Sequence, residues 1–426
     1  MKHTRGSYSA VISPLRLRLT IVIVAALLAP LMQLEPTGGS AATLRQGSLV
    51  NRRLLDDAGL KLGIGASLSG PMDSLGWRQV NAVQLAVDET NAAGGVTING
   101  TNYTLELISS DSGCNPSQSV VAANTLIDAG VVAVIGHSCS SATDAAQSLY
   151  AGAGVPLIIA SSTDPHLTDQ GFPTTFRVIT RDDSPPALLA SHLISQLGHK
   201  RAAVLISDGF WGNWVGEVFA DTFTDLGGAI TSQHVAGSPA EFDAAMAAIA
   251  AEDPDAVHIA YDDGATAGSV SKAASDLGMF DAAIAWTTYT EDRNALLDYA
   301  TAAAEAAEGD VAAMYYRATD QMPGYGSLNA RYVDAGFEHY GDEAQMWGAL
   351  AYDAARIVIA AMSRSASSTA SAIRDAIAAT SNHEGVAGRY VGFDKKGDVI
   401  PQWMWIEQHQ NGQWPVSYTH LRAHET

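Results

Sequence analysis

The chain has 426 residues, of which 47% are hydrophobic and only 16% are charged, and this length predicts two lobes of typical domain size. Its 24 basic and 45 acidic residues give a formal net charge of −21. This balance argues against nucleic acid and anionic membrane surfaces as partners, because both are bound by clustered Lys and Arg.

The N-terminus is typical of a secretory signal peptide. A basic start is followed by the apolar run Leu19–Met32 and then by small residues up to Ala42. The run is short for a membrane span, and Pro30 interrupts it. We predict a signal peptide over residues 1–42, a linker over 43–59 and a periplasmic or extracellular location. An uncleaved N-terminal anchor is the alternative.

A regular alternation of strands and helices begins at Leu60. The first predicted strands are 60–67, 103–109, 131–135 and 156–160, and the helices between them are 77–91, 116–129 and 140–153. Strands such as VVAVI are continuous apolar runs, as expected of a parallel sheet covered on both faces. Asn115 is a plausible N-cap of the second helix. Strands that alternate with helices predict a parallel α/β fold.

The same alternation restarts at Arg181. The next predicted helices are 184–198, 212–226, 241–251 and 264–277, and the strands are 201–207, 230–235, 256–260, 284–287 and 311–316. Helices 325–336 and 347–362 and a strand over 403–408 follow. The pattern changes abruptly after Trp414, and we interpret residues 416–426 as a non-native tail.

The sequence contains two cysteines, Cys114 and Cys139. In a secreted protein such a pair is a candidate for one disulfide. Two buried free thiols are the alternative.

Small hydroxyl residues follow two successive predicted strands, in Gly136–Ser141 (GHSCSS) and Ser161–Asp164 (SSTD). Each cluster precedes or opens a helix, whose free N–H groups and positive dipole end favour a carboxylate. Ordinary N-capping is the alternative for either cluster alone. Because strand ends of one sheet meet at the same edge, the two clusters together favour a shared anion site.

An enzyme is not predicted. The run Gly136–Ser140 is close to a nucleophile elbow but lacks its final glycine. The sequence has no P-loop, no H-E-x-x-H and no C-x-x-C motif, and its histidines are scattered. We therefore expect no cofactor and no metal.

Several stretches of the chain resemble the Leu/Ile/Val-binding protein family of type I periplasmic substrate-binding proteins. The matching stretches are Gly65–Gly76, Asn91–Val96, Asp111–Gln118 with Ile135–Thr143, Ile158–Thr168 and Phe393–Asp398. The resemblance covers about Leu60 to Trp414. It implies two Rossmann-like lobes joined by three crossing segments, and a disulfide between the two cysteines.

The resemblance also implies where the lobes meet. We predict crossings near Thr180–Arg181, Gly309–Val311 and Gly392–Phe393. Lobe 1 then contains residues 60–180 plus 311–392, and lobe 2 contains residues 181–310 plus 393–415.

In this family the ligand lies in the cleft between the lobes. By resemblance, the hydroxyls of Ser140 and Thr163 hold an α-carboxylate, and the main-chain carbonyl of Ser161 receives an ammonium group. Trp211 and Trp347 match the aromatic positions, although for Trp211 a packing role is the alternative.

The family's acid partner for the ammonium group has less obvious counterparts. The aligned position is Tyr289, with Glu291 and Asp262 as acidic candidates and Asp263 beside them. A solvated turn or helix cap is the alternative for the two aspartates. A buried ammonium group requires a charged partner.

The implied function is the extracytoplasmic solute-binding component of an ABC importer, which binds a small, branched-chain-like amino acid. The implied partners are the membrane permease subunits, and the protein is expected to be a monomer. Amides, urea-like compounds or aromatic acids are alternative ligands, and a sensory ligand-binding module is an alternative role.

Overall fold

The computed structural model describes residues 59–207, 210–261, 263–279, 283–288, 293–314 and 319–414. The predicted signal peptide, almost all of the linker and the predicted non-native tail lie outside these residues. Within them, no helix combines the length and the apolarity that crossing a membrane requires.

The first part of the chain builds a sheet with helices on both faces. Its elements are β1 (Leu60–Ala66), α1 (Asp73–Ala92), β2 (Val96–Ile98), β3 (Thr101–Tyr103), β4 (Leu105–Asp111), α2 (Pro116–Asp128), β5 (Ala133–Gly136), α3 (Ser140–Ala153), β6 (Leu157–Ile159), α4 (His166–Asp169) and β7 (Thr175–Arg177). The strand order is β4-β1-β5-β6-β7, and every pairing is parallel. We call this the first sheet.

The next part builds a second sheet in the same way. Its elements are α5 (Ser184–Ser195), β8 (Arg201–Ile206), α6 (Phe210–Asp225), β9 (Ala229–Val235), α7 (Pro239–Glu252), β10 (Ala256–Ala260), α8 (Gly264–Asp276), β11 (Ala283–Thr288), α9 (Arg293–Ala303), a 3-10 turn (Ala304–Ala307) and β12 (Val311–Met314). The order is β17-β12-β11-β10-β8-β9, in which the late strand β17 (Trp405–Gln408) pairs antiparallel with β12.

The remaining elements return to the first sheet before the chain ends at the second. They are a 3-10 turn (Thr319–Gln321), α10 (Tyr325–Asp334), α11 (Gln345–Arg364), α12 (Ala370–Ala378), β13 (His383–Glu384), β14 (Arg389–Tyr390), β15 (Gly392–Phe393) and β16 (Val399–Ile400). Helices α1 and α11 share a core with one face of the first sheet, and α2 and α3 pack on its other face. The predicted two-lobed α/β fold is confirmed.

Two of the predicted crossings lie elsewhere in the structure. Strand β12 belongs to the second sheet, so the chain leaves that sheet after Met314 and not near Gly309–Val311. The β15–β16 hairpin contacts the first sheet, because Arg177 N donates to Gly397 O at 2.8 Å. The return to the second sheet therefore follows Ile400. A short apolar strand can belong to either sheet, which is why its sequence alone did not assign it.

Candidate functional site

Hydroxyl groups at the carboxyl edge of the first sheet are fixed by one glutamine of α1. The amide of Gln79 donates to Ser161 Oγ at 2.8 Å and accepts from Ser138 Oγ at 2.7 Å. Ser138 Oγ also accepts from Ser67 N, and Ser161 Oγ donates to Ser138 O. All four residues are buried. The network fixes the loops after β1, β5 and β6 relative to one another.

A second set of buried contacts holds the loop after β5. Ser162 Oγ donates to His137 O at 3.0 Å and shares a 2.8 Å hydrogen bond with Thr143 Oγ1. The His137 ring packs against Gly65, and its Nε2 lies 2.9 Å from Tyr150 Oη. Burial lowers the pKa of His137 to about 4, so the ring is neutral at neutral pH. His137 therefore has a packing role.

Ser140 and Thr163, the two predicted carboxylate-binding hydroxyls, also lie at this edge. Ser140 is the first residue of α3, and its Oγ accepts a 3.4 Å hydrogen bond from Asp164 N, next to Thr163. Among the described residues, neither hydroxyl donates a hydrogen bond. Helix α3 begins without a side-chain cap, whereas α2 has the predicted cap from Asn115. The edge thus presents free helix N–H groups beside two hydroxyls.

The structure joins Cys114 and Cys139 in a disulfide, with their Cα atoms 5.3 Å apart. This separation is ordinary for a disulfide. Cys139 is the residue that precedes α3, so the bond ties the start of that helix to the loop after β4.

The predicted aromatic residues lie at the edges of the two sheets. Trp211 is in the first turn of α6, which follows β8, and it packs against the second lobe's core. Trp347 is in the first turn of α11 and packs against the first lobe's core. Helix α11 runs parallel to α1, since Gly348 lies against Arg78 while Tyr352 contacts Glu89. Trp347 therefore lies at the same end as Gln79.

The predicted partners of a ligand ammonium group, Asp262, Tyr289 and Glu291, lie outside the described residues. Their neighbour Asp263 is an exposed N-cap of α8, and its Oδ1 accepts from Thr266 N at 2.7 Å. For Asp263 the capping alternative is therefore confirmed.

A buried charge network joins the carboxyl edge of the first sheet to the segments between the lobes. Arg177 is fully buried; it donates to Asp398 Oδ1 at 2.7 Å and to Asp164 O at 2.7 Å. Arg181 donates to Asp398 Oδ2 at 3.0 Å and to Asp169, whose pKa it lowers to about 2. The loop that carries Thr163 is thereby tied to the first crossing and to the β15–β16 hairpin.

Sequence reasoning named neither Gln79 nor this network. The network could have been suspected from the two arginines in FRVITRDD, because cations are scarce in this acidic chain and these two lie at the predicted crossing. Gln79 had no such signal, because a glutamine on an amphipathic helix usually lies in solvent.

The two sheets have the strand orders given above, and the carboxyl edge of the first carries hydroxyls beside the uncapped start of α3. These features are typical of a two-lobed binding protein. The family model described as "Periplasmic binding protein" matches residues 59–413, and the chain belongs to this family. Its members are solute-binding proteins, which confirms the prediction that the chain is not an enzyme.

Curated proteins with similar sequences carry names of the same kind. A leucine-, isoleucine-, valine-, threonine- and alanine-binding protein of Pseudomonas aeruginosa is 32% identical over 168 residues, 39% of this chain and 44% of the relative. The chain thus spans less than half the length of the curated relatives it matches.

Solved structures share the fold. An ABC transporter substrate-binding protein from Desulfitobacterium hafniense, in complex with Leu, is 24% identical with a TM-score of 0.65 and covers 84% of this chain and 100% of its own. A solute binding protein of an ABC transporter from Rhodopseudomonas palustris, in complex with 3,4-dihydroxybenzoic acid, is 21% identical with a TM-score of 0.59 over 82% and 93%.

Proposed function

We propose that the protein is the extracytoplasmic solute-binding component of an ABC importer and that it binds a small, branched-chain-like amino acid between its lobes. The observation that carries this proposal is the uncapped start of α3 beside the hydroxyls of Ser140 and Thr163. Free N–H groups at the positive end of a helix, together with hydroxyl donors, suit a carboxylate. The names of the relatives support the ligand class.

The rest of the ligand would be held by groups that the sequence suggests. The main-chain carbonyl of Ser161 would accept from the ammonium group, with an acid among Asp262 and Glu291 or the nearby Tyr289 as its further partner. Trp211 and Trp347 would cover the side chain. Closure of the lobes on the solute would then present the complex to a permease.

The test is calorimetric titration of the purified protein with leucine, isoleucine, valine and alanine. Ser140→Ala should weaken binding roughly 10- to 100-fold, because it removes a hydrogen bond to a charged group. Ser148→Ala is the matched control, since Ser148 is exposed on the same helix away from its start, and it should bind as the wild type does.

Equal binding by the wild type and Ser140→Ala would contradict the carboxylate site. Aromatic acids form the second ligand class, favoured by the dihydroxybenzoate-bound structural relative. Binding of 3,4-dihydroxybenzoate without binding of any amino acid would keep the importer role and discard the amino-acid ligand.

A further inference from the structure

A second concave site lies on the first lobe, between α10, α11 and β13. The cavity has a volume of about 310 Å³, and Arg331, Arg356 and His383 are among the residues that line it. Arg356 contacts Thr90, near the end of α1, whereas Gln79, which contacts Ser161 at the carboxyl edge of the first sheet, is near the beginning of that helix. At 1.5 Å per residue these positions are about 16 Å apart along the helix. The cavity is therefore distinct from the proposed amino-acid site.

Arg356 forms no ion pair with any residue that the structure describes. Its one hydrogen bond to a described residue is a long contact of 3.3 Å from Nη1 to Thr90 Oγ1. The chain has 45 acidic and only 24 basic residues, so partners for an arginine are abundant. A half-buried guanidinium group without an ion pair among the described residues keeps most of its donors free for a ligand.

Two further side chains of the cavity wall, Arg331 and His383, can donate hydrogen bonds but add little net charge. Arg331 pairs with Glu89 and donates to Tyr352 Oη, which fixes its guanidinium group at the rim. His383 Nε2 is buried without a hydrogen-bond partner among the described residues. The pKa of His383 is lowered, first by burial and then by the charges of Arg356 and Arg364.

The carboxylates of the cavity are already engaged. Asp353 accepts from Val386 N and Ala387 N at 2.7 and 2.9 Å and from the hydroxyl of Tyr390. Glu384 is largely exposed and pairs with Arg389. Neither acid forms an ion pair with Arg356 among the described residues, although the charge of Arg356 acts to lower the pKa of Asp353.

We propose that this cavity binds a small oxyanion, either phosphate or the carboxylate of a small molecule, with Arg356 as its principal ligand. The guanidinium group matches both anions because it can donate two parallel hydrogen bonds. The volume also exceeds the need of a single phosphate, so a larger molecule that carries such a group fits as well. This site does not depend on the proposed amino-acid ligand.

The experiment is calorimetric titration of the full chain with inorganic phosphate and with citrate, with ionic strength held constant by NaCl. Arg356→Gln should weaken binding of the preferred anion at least tenfold. Arg374→Gln is the matched control, because it removes the same charge from α12, where Arg374 pairs with its neighbour Asp375. The control should bind the anion as tightly as the wild type does.

Preference for phosphate over citrate, or the reverse, identifies which source of the oxyanion the cavity takes. No saturable binding of either anion would overturn the proposal, and so would equal binding by Arg356→Gln and the wild type. Anion binding that is lost in Ser140→Ala but kept in Arg356→Gln would place the anion at the start of α3 and would also overturn it.

Discussion

Asp398 and Asp310 are both buried, with 1% and 3% of their surface exposed, but their partners differ. Asp398 lies between Arg177 and Arg181, which belong to the first lobe's edge and the first crossing. The carboxylate of Asp310, which directly precedes the second sheet's β12, accepts among the described residues only from the hydroxyls of Ser271 and Tyr299 and from the main-chain N–H of Ile284.

The difference shows two ways to bury a carboxylate. Opposite charges compensate Asp398 and at the same time tie distant segments of chain together. Neutral donors compensate Asp310 only in part, and burial raises its pKa to about 7 despite the opposing effect of its hydrogen bonds. The second lobe therefore contains a group that titrates near neutral pH, whereas the charge network near the crossing gains its stability from ion pairs.

Breaking the paired carboxylate should have the largest effect. Arg177→Met leaves Asp398 with Arg181 as its remaining cation and also removes the hydrogen bond to Asp164 O. We expect the free energy of unfolding to fall by about 3–5 kcal/mol, as measured by urea unfolding. Lys272→Gln, which breaks an exposed pair with Asp276, should cost only about 0.5 kcal/mol.

A second variant checks the cause of that loss. Adding Asp398→Asn to Arg177→Met removes the undercompensated charge, so the double variant should recover part of the stability. Strictly additive losses from the two substitutions would contradict the assignment of Arg177 as the partner of Asp398.

Removing the charge of Asp310 should change how stability depends on pH. Its pKa in the folded protein lies above the ordinary value of 3.8, so folding favours the protonated form. That contribution is complete below pH 3.8 and is lost as the pH rises through about 7. Asp310→Asn mimics the protonated form, and its two hydroxyl partners can reorient to accept from the amide.

We therefore expect Asp310→Asn to gain stability relative to the wild type between pH 4 and pH 8, by up to about 4 kcal/mol. The measurement is denaturant unfolding of both proteins across this pH range. A difference between them that does not vary with pH would contradict the raised pKa.

Local elements could be predicted from the sequence better than contacts between distant residues such as Arg177 and Asp398. Periodicity located most of the larger strands and helices, and it placed α3 and β10 at their observed bounds because buried apolar runs and helix starts are local signals. The three-residue strand β7 and the helices α9 and α12 were missed, since their short patterns do not stand out from loops.

Long-range contacts could not be predicted from the residues alone. Arg177 and Asp398 are separated by 221 residues, and no local pattern pairs them. The family resemblance predicted Ser140 and Thr163 as ligand-binding residues, and the structure places both at the edge of the first sheet that carries Ser161. It did not identify Gln79, whose role depends on the loops that converge on it.

The smallest of the three main effects concerns Asp353, which is also buried but forms no ion pair with a described residue. Burial raises its pKa to about 6, while the hydrogen bond from Tyr390 acts in the opposite direction. Tyr390→Phe removes that 2.8 Å hydrogen bond and should reduce the free energy of unfolding by about 1 kcal/mol. Because the bond favours the ionised carboxylate, the loss should be larger at pH 8 than at pH 4.5.

Tyr332→Phe provides the matched control for this prediction. Its hydroxyl is also held by buried contacts, but it donates to Tyr340 O and accepts from Asn81, which do not titrate. Urea unfolding should therefore show the same loss at both pH values for Tyr332→Phe and a pH-dependent loss only for Tyr390→Phe. A pH-independent loss in both variants would mean that Asp353 keeps the same protonation state across this range, and would contradict its pKa of about 6.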